Sequence, residues 1–260
     1  MLTLSDSHKI QYGNHPSQYG VLRAPSHQRN SPVIVSIHGG FWRQKYDLDE
    51  NTPLTIDLTE RGYATWNIEY RRTDEIETWK DTCEDVIDAI NHLDTLQDEY
   101  SLDLSRVILI GHSAGGHLAL WAASCIDMSN AEYKKRLITP IKGVVSLAGV
   151  ADLGKMWTIH TKNNTDSPVS TFVGGTPKEV PDDYHSASPI EQLPLNVKQV
   201  LIHGKLDQHV PVDVSIGYHD KASSVDEDIE LIILPEAEHF KIVNPDTDEW
   251  QTVVEAIQKL

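Results

Sequence analysis

Residues Ile108 to Ala119 read ILIGHSAGGHLA, and no other stretch limits the fold as narrowly. An apolar run from Val107 to Ile110 stops at Gly111, and an Ala/Leu-rich segment opens near Gly115 with no room for a loop between them. Ser113 therefore falls in a strand-to-helix turn. In a G-x-S-x-G turn of this kind the flanking positions must lack side chains, as Gly111 and Gly115 do, and the serine hydroxyl is pushed out above the sheet edge. The helix behind it aims unsatisfied backbone N–H groups at any oxyanion formed there.

A second element supports the first. Val33 to Ile37 (VIVSI) is a β-branched run of the kind found in strands buried on both faces, and it ends in His38-Gly39-Gly40-Phe41-Trp42. Glycines at a strand end let the backbone approach a ligand closely. The N–H groups of Gly40 and Phe41, with that of Ala114, are candidate oxyanion donors, one such donor contributing about 3 kcal/mol. Without Ser113 the same residues would read as a plain glycine turn. His38 opens this loop and is read as its brace, through hydrogen bonding.

The rest of the chain falls into a repeating pattern. Tyr19 to Arg23 reads as an edge strand before a polar loop, and further strands are expected at Ala64 to Tyr70, Gly143 to Leu147, Gln199 to His203 and Ile229 to Leu234. Helices are expected over Leu48 to Arg61, over Trp79 to Asp98, after Val210-Pro211, and over Asp246 to Lys259. Strands alternating with helices imply right-handed crossovers and a mostly parallel sheet with helices on both faces, an α/β fold. With 260 residues, 39% of them hydrophobic, the chain can bury one sizeable core, and a single domain over residues 1–260 is expected. Ala151 to Ala187 breaks the rhythm with Pro168, Pro177, Pro181 and Gly174-Gly175. It reads either as a small lid insertion over the site or as a surface excursion with its own apolar cluster.

A serine hydroxyl needs a histidine to take its proton and a carboxylate to orient that histidine. Thirteen histidines compete, so position decides. His239 lies five residues past the last strand and Asp207 just past the preceding one, giving the order Ser113, Asp207, His239, nucleophile then acid then base. The other histidines read differently. His112 is expected to point away from the serine, His117 and His203 to be structural, and His160 and His185 to lie within reach of substrate. Asp152, also past a strand end, is the runner-up acid; Asp213 and Asp220 belong to a helix and read as solvated. Trp42, Trp157 and Phe172 are the candidate walls of an apolar substrate pocket, with local packing as the alternative.

Other classes of function are disfavoured. A net charge of −17 repels nucleic-acid backbones and anionic membranes, and the only basic clusters, Arg71-Arg72 and Lys134-Lys135-Arg136, are short enough to read as solvated or locally paired. No metal is expected: His203, Asp207 and His209 are close in sequence but fit an acid-bearing turn better than a ligand set. GHSAGG lacks the Lys-Ser/Thr of a phosphate loop, and no cofactor is expected. Cys83 and Cys125 read as half-buried thiols in a reducing compartment. With no signal pattern and no long apolar window, a cytoplasmic location is expected.

From about Val33 onward the chain resembles the α/β-hydrolase superfamily. HGGFW with GHSAGGHLA is similar to the esterase and lipase branch that includes the serine-dependent kynurenine formamidases, whose signature is HGG-x-W, and LIHGKLDQHVP is similar to the acid turn of that branch and of prolyl-oligopeptidase-like enzymes. The resemblance implies Ser113 as nucleophile, Asp207 as acid, His239 as base, and the Gly40 region with Ala114 as oxyanion hole. One departure is EAEH, where relatives often carry a glycine-containing turn before the histidine. The expected activity is cleavage of a small ester or amide through an acyl-enzyme. The alternatives are an arylformamidase of the N-formylkynurenine type and, from another class, a ligand-binding homologue that has lost catalysis.

Overall fold

The structure, a computed structural model, describes residues 6–25, 29–73, 77–126, 137–163 and 166–260. Its strands are β1 (Ser7–Gln11), β2 (Tyr19–Arg23), β3 (Ser31–Ile37), β4 (Ala64–Ile68), β5 (Leu102–His112), β6 (Gly143–Leu147), β7 (Lys198–Gly204) and β8 (Ile229–Leu234). They form one sheet in the order β1-β2-β4-β3-β5-β6-β7-β8. The first two strands pair antiparallel with each other and with β4; from β4 to β8 every pairing is parallel. This is the α/β-hydrolase fold.

The helices are α1 (Thr52–Glu60), α2 (Trp79–Asn91), α3 (Leu93–Tyr100), α4 (Ala114–Ala123), α5 (Leu153–Lys162), α6 (Pro168–Val173), α7 (Pro181–Ala187), α8 (Asp213–Ser223) and α9 (Asp248–Gln258). Leu54 and Leu58 of α1 join Trp250, Val253, Val254 and Ile257 of α9 in the core on one face. Helices α2, α3, α4 and α8 cover the other. Covered on both sides, β4 and β6 are buried at every residue; β6 (GVVSL) is a near-continuous apolar run, whereas β4 (ATWNI) alternates and buries its polar side chains by hydrogen-bonding them, Thr65 to Thr59 and Asn67 to Leu48 O.

Several boundaries differ from the sequence reading. Tyr19–Arg23 is not the edge: β1 lies outside it, and SHKIQ, with one apolar residue and a largely exposed surface, carries no strand signal. The helix expected over Trp79 to Asp98 is two, meeting at His92 and ending at Ser101 in the left-handed region (φ 53°). The strand feeding the elbow starts at Leu102 rather than Val107, and its pairing with β3 shifts register between Pro32 and Val33. Cys83 and Cys125 are fully buried rather than half-buried, and neither is in a disulfide. Arg71 pairs with Asp81 and Asp85, and Arg72 with Glu69, so that basic pair is consumed locally. The cluster at 134–136 lies outside the described residues.

Among the described residues of 151–187 the elements are α5, α6 and α7. Their inward side chains Met156, Val169, Phe172, Val173 and Tyr184 are continuous with the core on the α4 face, so they form no separate cluster.

The elbow is packed to backbone contact. A Cβ on Gly111 would sit 2.1 Å from the Gly115 carbonyl oxygen, and one on Gly115 would sit 2.0 Å from that of Ile37. Neither neighbour is a flexible side chain, so the clash is relieved only by separating α4 from β3. Gly115→Ala is expected to lose about 3 kcal/mol or more of unfolding free energy in urea titration. A loss below about 1 kcal/mol would show that the elbow is looser than this geometry.

Candidate active site

The site lies at the carboxyl ends of β3, β5, β7 and β8, where open parallel sheets place their ligands. Ser113 follows β5 with φ 55° and ψ −116°, a conformation L residues rarely adopt and one that costs of order 1–3 kcal/mol. The surrounding backbone holds it there. Its N–H donates to Leu147 O (2.8 Å), and its carbonyl accepts from His117 N (3.1 Å) and Val150 N (3.3 Å).

Asp207 and His239 come from the loops after β7 and β8. His239 Nδ1–H donates to Asp207 Oδ2 at 2.5 Å, while Oδ1 accepts from the backbone N–H groups of His209 (2.8 Å) and Val210 (2.9 Å). Burial pushes the Asp207 carboxyl up, but hydrogen bonds from His203 and His239 and the backbone outweigh it and leave the group well below the usual carboxylate range. A folded-state pKa below the unfolded one contributes stability above the unfolded value, about 3.9, and loses it as pH falls further. Wild type should therefore lose urea stability more steeply than Asp207→Asn below about pH 4. Parallel acid limbs would show that the carboxylate gains nothing from these bonds.

His112 ends β5 beside Ser113. The expectation that it points away from the site is corrected: its ring lies 4.4 Å from that of His239, and Nε2–H donates to the His239 carbonyl at 3.0 Å. The last residue of β5 faces the crossing of the β8 loop, which brings the two rings together. Burial, with the nearby His239, holds His112 down to about 3, so it stays neutral. The Asp207–His239 pair thus packs against the residue that precedes Ser113, and Ser113, Asp207 and His239 are all buried, at 3%, 8% and 3% exposure.

The loop after β3 is left-handed at three successive residues, Gly40 (φ 98°), Phe41 (φ 55°) and Trp42 (φ 57°). At Gly40 a Cβ would also fall 2.3 Å from that of Tyr46. Among the described residues the N–H groups of Gly40, Phe41 and Ala114 donate to no protein acceptor. Their directions are set by the carbonyls on the same peptide units. The Gly39 carbonyl, opposite the Gly40 N–H, accepts from His38 Nδ1 (2.8 Å), and the Gly40 carbonyl, opposite the Phe41 N–H, accepts from Arg43 N (3.1 Å). His38 is in turn bonded through Nε2 to Glu69 Oε1 (2.9 Å) and stacked on Tyr70 at 4.4 Å, and Arg72 also reaches Glu69. Burial alone would raise the Glu69 carboxyl; His38 and Arg72 bring it below its ordinary range.

The structure also sorts the remaining candidates. His203 is buried, with Nδ1 on Ser215 Oγ (2.7 Å) and Nε2 on Val210 O (2.8 Å), yet Nε2 also lies 3.3 Å from Asp207 Oδ2, a contact the sequence reading missed. His117 is buried with Nε2 on Ala187 O, and burial lowers it to about 4. His160 faces Phe41 at 6.5 Å and bonds Ser167 Oγ, whereas the His185 side chain is 67% exposed. Asp152 is the N-cap of α5, its carboxylate accepting from Lys155 N, a sufficient structural reason for it. Trp42 and Phe172 are corrected as pocket walls: stacked at 4.2 Å and 0% and 1% exposed, they lie beneath the surface because α6 packs onto the loop. Trp157 is half-buried. Glu69, Tyr70 and Glu50 were not foreseen; the first two directly follow β4, the one signal available. Among the described residues no group of His, Cys, Asp or Glu side chains is arranged to hold a metal, and no helix is long and apolar enough to cross a membrane.

Comparison with known proteins agrees with this architecture. The chain is 25% identical over 239 residues to the esterase LipC of Mycobacterium tuberculosis, covering 89% of this chain. It is likewise 25% identical over 236 residues to a probable isoprenylcysteine alpha-carbonyl methylesterase of Arabidopsis thaliana, covering 86% of this chain. It spans 59% and 54% of the lengths of those relatives. Among solved structures, a truncated carbohydrate esterase from gut microbiota superposes with a TM-score of 0.84 at 21% identity, covering 99% of this chain and 97% of the other. Esterase B from Lactobacillus rhamnosis gives 0.84 at 18%, covering 99% and 85%. The BD-FAE family model matches residues 21–221, and the chain belongs to that family.

Proposed function

We propose that this chain is a serine hydrolase of small carboxylic esters or amides. Ser113 Oγ attacks the acyl carbon as His239 Nε2 takes its proton. Asp207 holds the Nδ1–H tautomer and stabilises the imidazolium. The new negative charge falls on the former carbonyl oxygen, which receives the N–H groups of Gly40, Phe41 and Ala114. Collapse breaks the bond to the alcohol or amine, which leaves with the proton from His239. Water then repeats the sequence on the acyl-enzyme and releases the acid.

The observation that carries the reading is the Asp207–His239 pair, seated against the elbow on the same sheet edge as a backbone loop with unengaged N–H groups. The names of the relatives, esterase and methylesterase, support an ester substrate. The test is hydrolysis of p-nitrophenyl acetate and butyrate beside N-formylkynurenine. Turnover of the esters with little on the formamide is expected. The reverse order would make the protein an arylformamidase. No turnover of either, with no fluorophosphonate adduct on Ser113, would make it a binding homologue.

A further inference from the structure

The HGG turn carries three successive N–H groups, and the first is spoken for. Gly39 N donates to Glu50 Oε2 at 3.1 Å. Glu50 lies in the 3-10 turn Leu48–Asn51 ahead of α1, 11 residues from its partner, so the bond ties two loops together. A Cβ built on Gly39 would lie 3.2 Å from Glu50 Oε2, 3.2 Å from Ser113 Cβ and 3.0 Å from His112 O. Carboxylate, glycine loop and elbow therefore meet around one position. The other oxygen, Oε1, lies 3.9 Å from His112 Nδ1, too far for a hydrogen bond.

A half-buried carboxylate beside Ser113 is a poor choice on charge alone. An anion there opposes the negative charge that acyl transfer develops on the substrate oxygen, and among the described residues no lysine or arginine pairs with Glu50. What it does supply is a fixed acceptor. The peptide unit joining His38 to Gly39 is clamped at both ends, its carbonyl by Tyr70 Oη (2.9 Å) and its N–H by Glu50. Without Glu50 this unit keeps its Tyr70 bond alone, and the next two units, which carry the Gly40 and Phe41 N–H groups, are left to the single bonds from His38 and Arg43.

We propose that Glu50 is a positioning residue of the hydrolase: by accepting the Gly39 N–H it fixes the glycine turn in the orientation that presents Gly40 and Phe41 to the acyl oxygen. The inference rests on the serine-hydrolase reading above. It makes the hydrogen bond, and not the charge, the source of the effect, and two substitutions separate these. Glu50→Gln removes the charge but keeps an oxygen for the Gly39 N–H. Glu50→Asp keeps the charge but is one methylene short of reaching it.

The experiment is steady-state kinetics on p-nitrophenyl butyrate for wild type, Glu50→Gln, Glu50→Asp, Glu50→Ala and Ser113→Ala, with thermal midpoints for each. Glu50→Asp and Glu50→Ala are expected to lose about tenfold in kcat with KM within about twofold, because the donors act on the transition state. Glu50→Gln is expected to restore kcat to within about threefold of wild type. Should Glu50→Ala not fold, the Asp and Gln pair decides alone. Wild-type kcat in Glu50→Asp, or a Glu50→Gln as slow as Glu50→Asp, would overturn the proposal while leaving the hydrolase reading intact. Ester hydrolysis undiminished in Ser113→Ala would overturn the hydrolase reading itself.

Discussion

Ser113→Ala is expected to lower kcat/KM for a short p-nitrophenyl ester by about 10⁴-fold or more while leaving the protein folded. The loss is that large because the neighbouring groups act through the hydroxyl: with no nucleophile, the proton transfer through His239 and the charge on Asp207 have nothing to assist. What survives is the contribution of the N–H donors toward attack by water. The fold is expected to persist because the conformation of residue 113 is held by backbone bonds, to Leu147, His117 and Val150, that Ala makes equally well. The strain at φ 55° and ψ −116° adds a second expectation. Glycine reaches this region without a Cβ penalty, so Ser113→Gly should be about 1 kcal/mol more stable than Ser113→Ala in urea, the reverse of the usual order. Equal activity in wild type and Ser113→Ala would remove the mechanism altogether.

Asp207→Asn is the second large effect, expected at about 10³- to 10⁴-fold in kcat. The direction follows from which atoms surround the carboxylate. Oδ1 accepts from two backbone N–H groups, so the amide oxygen of Asn is held at that position and the NH2 must take the place of Oδ2. There it faces His239 Nδ1 and His203 Nε2. A donor opposite His239 Nδ1 favours the tautomer with the proton on Nε2, which has no lone pair to receive the serine proton. The same NH2 meets the His203 N–H that donates to Val210 O, so about 1–3 kcal/mol of stability should go as well. Both losses are checked on one preparation, by ester kinetics and by urea unfolding at pH 7. An Asn variant with wild-type kcat would mean that Asp207 does not set the tautomer of His239.

Much of this arrangement was legible before any coordinates, for reasons that are physical. Val33 to Ile37, Gly143 to Leu147 and Gln199 to His203 are buried on both faces and so read as continuous apolar runs. The turns after them stand out as breaks in those runs, which is how Gly40, Asp207 and their neighbours were singled out. The first strand was not legible because it covers an edge and needs only a backbone to pair with β2; SHKIQ answers to no apolar pattern. The break between α2 and α3 was missed because the apolar spacing continues across His92.

Orientation was the other limit. Period and spacing place His112, His203 and Trp42 on their elements, but the direction of each side chain depends on what crosses above it. Thus the loop after β8 turned His112 into a neighbour of His239, and α6 turned Trp42 into a buried residue. The bracing of the glycine loop by Glu69 and Tyr70 belongs to the same class, since it joins strand ends 31 and 32 residues apart in the chain.

The stack of Trp42 on Phe172 has a bearing on how such a protein can be remodelled. The glycine loop is the part a hydrolase must keep constant, and the segment from α5 to α7 lies against it through His160 and Phe172. Here the two are not separable modules. Phe172 packs on Trp42, Trp42 is two residues from Gly40, and His117, four residues from Ser113, closes the cluster edge-on to both rings. A transplanted segment that fails to bring an aromatic ring to position 172 would disturb the glycine turn through Trp42. Grafts should therefore be drawn from donors that already pair an aromatic residue with the tryptophan of HGG-x-W, or carry both residues across together.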